Sequence, residues 1–425
     1  MAIAIVGTFD TKGEEHLFLK KRIEEYGFET LMIHVGTRRP SPFPVDRDMY
    51  REIEKIDPAC LSRRDRAIEA VRSLAQRTIG SLLLEGKIDG VISAGGGTGT
   101  HLGTGVMKVL PLGMPKVMVS TVAAKDMGSV VGTKDITMIH SVVDILGVNS
   151  ISGMILDRAA GAVCGMARSR WKSEGVQKRI ALTFFGFITE AAEHLKIRLE
   201  GLDYEVIPFH ANGTGGMAME ELAREGFFDG ILDLATHELA DALKDGYCRG
   251  IGPERLMPPQ EKLVPRLVIP GGLDCAVLEF TRASVPEAYR DRKIFYYDFR
   301  SAIRLSREES LLIADQLSEK MNFNPKGTKL LVPNRGWSEA DIEGGPLYDP
   351  EIAAAFVRRV KERLDPGIEV READLHINDA AFADLAAEIM DAMVKRHFLT
   401  EKDMCEASDP SAHDSLNPHK GYSRI

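Results

Sequence analysis

Short apolar runs recur along the chain, each ending in glycines or small polar residues and each followed by a stretch with helical spacing. "AIAIVG" leads into a polar turn, "TFDTKG", and then a helix predicted from about Glu14 to Tyr26, with Leu17, Phe18 and Ile23 on one side. A second run, "TLMIHVG", ends in "TRRPSPFPVD", whose prolines forbid helix and make it a long surface loop. Next come a long helix from about Arg63 to Glu85, the strand "GVISA", a glycine-rich turn, and a helix beginning near Leu102. The strands "KVMVS" and "DITMIHS" continue the alternation. Strands apolar on both faces that alternate with helices specify a parallel, doubly wound sheet, and ligands bind such sheets beyond the carboxyl ends of the strands.

The pattern occurs twice. "IAIVGTFDTKGEEHLFLKKRIEEYGFETLMIHVGT" parallels "IALTFFGFITEAAEHLKIRLEGLDYEVIPFHANGT", with His34 and His210 at corresponding strand ends. "EGKIDGVISAGGG" parallels "EGFFDGILDLATH", and "PKVMVSTVAAKD" parallels "PRLVIPGGLD". A weaker pair, "KDITMIHSVVDIL" and "RKIFYYDFRSAIRL", follows in order. Colinear matches of this kind predict an α/β chain of two homologous, Rossmann-like lobes. The expected domains are a nucleotide-binding lobe over residues 1–170, a substrate or partner lobe over 180–400, and a C-terminal arm or disordered tail over 401–425, with a polar linker near 168–179.

A chain of 425 residues is too long for one core of ordinary size, which fits two domains. With 44% hydrophobic and 28% charged residues, it reads as globular, and a net charge of -9 without a basic stripe argues against nucleic acid and anionic lipid as partners. No run is long and apolar enough to suggest a membrane span. The five cysteines are scattered and form no CxxC pair, so a reducing cytoplasm is expected and no metal site is assigned.

The candidate chemistry lies at the predicted strand ends. "SAGGGTGT" places Gly95, Gly96, Gly97, Thr98, Gly99 and Thr100 between a strand and a helix, where free backbone amides and the helix dipole favour an anion. It fits neither the P-loop nor the GxGxxG pattern, so a phosphate site and a structural turn are both open. "GTFDTKGEE" brings Gly7, Thr8, Asp10, Thr11 and Lys12 to the same edge. There Lys12 would balance phosphate charge and Asp10 would hold a ribose hydroxyl or magnesium; a helix cap is the alternative. Ser120 and Thr121 close the fourth strand.

In the second half, His210 ends a strand before "ANGTGG", Glu238 lies in "DLATHEL", Asp274 in "PGGLDC" and Arg335 in "VPNRGW". The expected roles are His210 as general base, Asp274 or Glu238 as its orienting partner, and Arg335 as a clamp for a carboxylate. Cys275 reads as a buried structural thiol before it reads as a nucleophile. Beyond Glu401, His413 and His419 are too loosely spaced for a metal.

Together "GTFDTKGEE", "ISAGGGTGT", "PKVMVSTVA", "VGTKDITMIHSVVDILGVN", "FHANGTGGMAMEEL" and "PNRGWSEAD" resemble a poorly characterised bacterial and fungal family that also forms the N-terminal region of a tomato tobamovirus-resistance protein. The resemblance covers the chain to about residue 400. It implies an ATP-binding domain of two Rossmann-like lobes, a homodimer, nucleotide contacts from Thr8, Asp10 and Gly95 to Thr100, and a TIM-barrel protein working beside it. The expectation is therefore a cytoplasmic ATP-binding protein, with or without Mg2+, acting as an enzyme on a small carboxylated or carbonyl metabolite in a cleft between the lobes. The alternative is a non-catalytic, nucleotide-gated module that binds a protein partner.

Overall fold

The computed structural model describes residues 2–169, 171, 175, 177–258 and 263–407. The chain divides into two compact units, Met1–Glu174 (lobe one) and Gly175–Ile425 (lobe two). His413 and His419 of the predicted tail lie outside the described residues, and the last helix, Ala380–Ala407, continues beyond residue 401.

Lobe one is built on a parallel sheet of β1 (Ala2–Gly7), β2 (Glu29–His34), β3 (Arg47–Asp48), β4 (Ile88–Gly95), β5 (Lys116–Ser120) and β6 (Thr137–His140), in the order β3-β2-β1-β4-β5-β6. Side chains alternate across a strand, so each apolar run feeds two cores. Ile3 and Ile5 join Ile92, Val117 and Val119 under the helices Phe9–Glu25 and Ser150–Arg168. Ala4 and Val6 join Val91 and Met118 under Arg64–Leu84 and Gly97–Met107. Each fully buried Val, Leu or Ile contributes about 1.5–3 kcal/mol, which is why these strands tolerate so few polar residues. Asn149 and Ser152 form a capping box that starts the helix behind β6.

Lobe two repeats the plan with β7 (Lys178–Phe184), β8 (Tyr204–His210), β9 (Gly230–Ala235) and β10 (Arg266–Gly271). A three-stranded antiparallel sheet then intervenes, made of β11 (Cys275–Leu278), β12 (Ile294–Tyr296) and β13 (Ser301–Arg304), before β14 (Thr328–Pro333) and β15 (Glu369–Ala373) complete the main sheet. Its order is β15-β14-β10-β9-β7-β8. Setting aside the two-residue β3, both sheets run 2-1-3-4-5 in their own strand count, and lobe two adds β15 at the far edge. The fold is thus α/β with two doubly wound, Rossmann-like lobes.

One pairing needs correction. "RKIFYYDFRSAIRL" supplies β12 and β13 of the antiparallel insert, and the sheet position of β6 is taken in lobe two by β14. Alternating apolar residues are shared by both kinds of strand, so periodicity alone matched the wrong element.

Candidate functional site

In lobe one the chain runs outward from β1 to β2 and then returns to β4 on the other side of β1, so the strand order reverses between β1 and β4. The crevice beyond the carboxyl ends of these strands is where α/β sheets take ligands. A cavity of about 520 Å³ lies there. Its wall includes Thr8, Asp10, Thr11 and Lys12 from the β1 side and Gly96, Gly97, Thr98 and Gly99 from the β4 side.

The glycine stretch is itself the first turn of a helix, Gly97–Met107, which starts five residues earlier than the sequence pattern suggests. No side chain caps it, and the first-turn amides of a helix have no partner within it. A Cβ on Gly97 would meet nothing within 4 Å, and one on Gly96 only the Thr121 hydroxyl at 3.6 Å. Neither packing nor a positive φ requires glycine at these two positions; its effect is to leave the amides bare toward the cavity.

Of the other predicted residues of this lobe, Gly7, Gly95, Thr100, Ser120 and Thr121 lie outside the wall, and Lys12 belongs to it. A Cβ on Gly7 would strike the His16 ring at 2.1 Å, and one on Gly95 would lie 2.9 Å from Gly99 Cα, so both keep room for close packing. Thr100 and Ser120 are buried and joined hydroxyl to hydroxyl at 2.7 Å. The Thr121 amide donates to the Gly95 carbonyl (3.2 Å), tying β5 to the cradle. Lys12 departs from helical geometry (φ -131°, ψ 39°), and its ammonium donates to the Ile145 carbonyl.

Asp10 is 4% exposed, and one of its oxygens, Oδ1, has no hydrogen-bond partner. Its Oδ2 accepts from the Arg38 amide (3.1 Å), and its carbonyl from Arg39 (2.8 Å). His34 fastens the same two loops: Nδ1 accepts from the Phe9 amide (3.1 Å), which leaves Nε2–H to donate to the Arg39 carbonyl (3.1 Å). Thr37, Arg38, Ser62 and Arg64 also line the cavity, and sequence reasoning did not single them out. The adjacent arginines of "TRRP", placed directly after β2, were the available signal.

Lobe two treats its predicted residues differently. Glu238 is fully buried; it accepts from the Gly213 amide (2.7 Å) and from Arg255 Nε (2.7 Å). Arg255 also reaches Glu220 (3.0 Å) and Asp233 (2.7 Å), and Arg266 pairs with the same two acids. Arg335 is exposed and forms a forked pair with Asp374, both bonds 2.8 Å. Asp274 is buried against Ser338 (2.8 Å); burial, and next Asp341, push its carboxyl up to about 7. His210 is exposed, its ring edge-on to Phe184. Glu238 and Arg335 are thus engaged with Arg255 and Asp374, and Asp274 with Ser338; none of these bonds involves His210.

The reversal of strand order in lobe two falls between β7 and β9. Here His237 stacks on Phe185 with ring centroids 3.8 Å apart. Gly272 (φ +76°) has to be glycine, since a Cβ would lie 2.6 Å from Phe185 and 2.7 Å from His237. Both His237 nitrogens are buried without a partner. Burial, then Asp274 and Asp241, raise the Cys275 thiol, which disfavours a nucleophilic thiolate.

Among the described residues no group of three or more His, Cys, Asp or Glu could hold a metal ion, and no helix is long and apolar enough to cross a membrane. Residues 1–172 match the N-terminal domain, and residues 177–394 the C-terminal domain, of an uncharacterised protein family, UPF0261. A UPF0261 protein of Clostridium tetani is 36% identical over 404 residues, covering 93% of this chain and 99% of its own. The ToMV resistance protein Tm-1(GCR237) of Solanum lycopersicum is 34% identical over 310 residues, 71% of this chain and 41% of the plant protein. A solved S. aureus MnaA-UDP co-structure aligns over 93% of this chain and 96% of its own at 11% identity, with a TM-score of 0.21, too low to carry an argument.

Proposed function

The chain belongs to the uncharacterised family UPF0261, and we propose that its N-terminal lobe binds an adenine nucleotide, ATP in the first instance, with the phosphates on the Gly96–Gly99 amides. The observation that carries this reading is Gly97. Its missing side chain opens a helix N-terminus onto the cavity where the strand order reverses, although neither packing nor backbone conformation asks for glycine there. Thr8, Thr11 and Thr98 add hydroxyl donors, and Lys12, Arg38 and Arg64 add positive charge. The Asp10 carboxylate, which lines the cavity, suits a ribose hydroxyl or a magnesium ion carried in with the phosphates. ATP is taken as the first ligand to test because of the family resemblance of these motifs.

Of the two uses for a bound nucleotide, turnover of a small carboxylated metabolite or control of a protein partner, the second fits lobe two better. Glu238, assigned to substrate chemistry, is buried and held by Arg255. Thermal unfolding with ATP, ADP, AMP, NAD and NADP, each with and without magnesium, tests the binding, because a ligand of the folded state alone raises the midpoint. A rise with ATP that vanishes in a folded Gly97→Val variant is expected. The same midpoint at millimolar concentrations of every nucleotide would return the stretch to a structural turn.

A further inference from the structure

The lining of the lobe-one cavity is uneven in a way that bears on what the site reads. Among the described residues around it, Leu61 is the one wholly apolar side chain and none is aromatic. A nucleobase slot ordinarily offers aromatic or broad apolar faces for stacking. The polar side is rich instead. Bare amides run from Gly97 to Gly99, and two arginines stand at the rim. Arg64 gives one N–H to the Thr98 hydroxyl (3.2 Å); the Arg38 backbone amide binds Asp10, but among the described residues neither the Arg38 nor the Arg64 guanidinium pairs with a carboxylate. Two guanidiniums without carboxylates, beside a helix N-terminus, suit more negative charge than one phosphate brings.

Resting on the nucleotide-binding reading, we infer that lobe one recognises a chain of two or more linked phosphates and is nearly indifferent to the base. One phosphate sits on the helix amides, and the next is held by Arg38 and Arg64. AMP therefore binds poorly, while ATP, GTP and inorganic tripolyphosphate bind alike.

Isothermal titration of the full chain with these four compounds, at one magnesium concentration, tests this. ATP, GTP and tripolyphosphate should agree within about tenfold, with AMP weaker by about a hundredfold or more. Arg64→Gln should weaken the three long ligands together by about tenfold and leave AMP unchanged, and Gly97→Val should abolish tripolyphosphate binding, which places it in the same cavity. If ATP binds while tripolyphosphate does not, or GTP is weaker than ATP by more than about a hundredfold, this inference fails and the nucleotide reading survives. If none of the four binds, both fail.

Discussion

The two lobes share a sheet plan and differ most where the strand order reverses. In lobe one that position is an open, polar cavity; in lobe two it is filled by the stacked rings of Phe185 and His237. The aligned stretches name the exchanges responsible: Thr8 corresponds to Phe185, Asp10 to Phe187, and Gly97 to His237. A hydroxyl, a carboxylate and a vacant Cβ direction have been exchanged for two phenyl rings and an imidazole. One scaffold can thus keep its strand-end crevice for a ligand or close it with aromatic packing, and a few side chains decide which. Charge follows the same division. The Arg38 and Arg64 guanidiniums of lobe one are exposed and, among the described residues, pair with no carboxylate, whereas Arg255 and Arg266 of lobe two are buried among Glu220, Asp233 and Glu238.

The largest expected effect tests that last contrast. Arg255→Met leaves buried carboxylates without their cation and should destabilise lobe two by about 3–5 kcal/mol in urea unfolding. The matching exposed change, Arg64→Met, should stay within about 0.5 kcal/mol. Equal losses would mean that the cavity arginine is structural too. A second experiment converts one lobe's crevice into the other's: Thr8→Phe with Gly97→His should weaken ATP binding by about a hundredfold or more in calorimetry. Retained affinity would show that the nucleotide sits elsewhere.

A smaller effect concerns His237. Burial, with His210 and Arg255 behind it, lowers its imidazole to about 3. Between that value and the ordinary 6.5 the unfolded chain binds a proton that the folded lobe refuses, so stability falls as pH drops through this window, by up to about 1.4 kcal/mol per pH unit. Asp274, raised to about 7, acts in the opposite sense and gains stability over the same fall in pH. The difference between wild type and His237→Phe isolates the histidine. The variant should lose less stability between about pH 6.5 and about pH 4, and parallel curves would contradict a buried, neutral His237. The smallest effect belongs to Arg335→Ala, which removes one exposed pair and should leave both the unfolding midpoint and nucleotide affinity unchanged.

Much of this was legible along the chain. Continuous apolar runs followed by helical spacing announce parallel strands, and "AIAIVG", "GVISA" and "KVMVS" fall on β1, β4 and β5. The glycine stretch and "TFDTKG" were readable as strand-end segments because their signals are local: glycine, small hydroxyls and charge beside an apolar run. Both turn out to be helix starts, at Gly97 and Phe9, where turns with helices from Leu102 and Glu14 were expected, because glycine and polar residues are as common in a first helical turn as in a loop. Arg38 and Arg64 were harder to see. They come from a proline-rich loop and the start of a long helix; the paired arginines of "TRRP" after β2 are a local signal for Arg38, and nothing in its own neighbourhood marks Arg64. Glu238 is ambiguous for the related reason that an acid at a strand end looks the same whether its partner is a substrate or an arginine 17 residues away, as Arg255 is here.

The sequence alone therefore determined the class of sheet, its repetition in two lobes and the strand end where phosphate chemistry is plausible, because periodicity and glycine act over a few residues. Only the tertiary structure decided which crevice stays open and which charges are already paired. Those outcomes join residues far apart in the chain, such as Arg266 and Asp233, 33 positions apart, or Asp274 and Ser338, 64 apart, and depend on which side chains the folded sheet brings within hydrogen-bond reach.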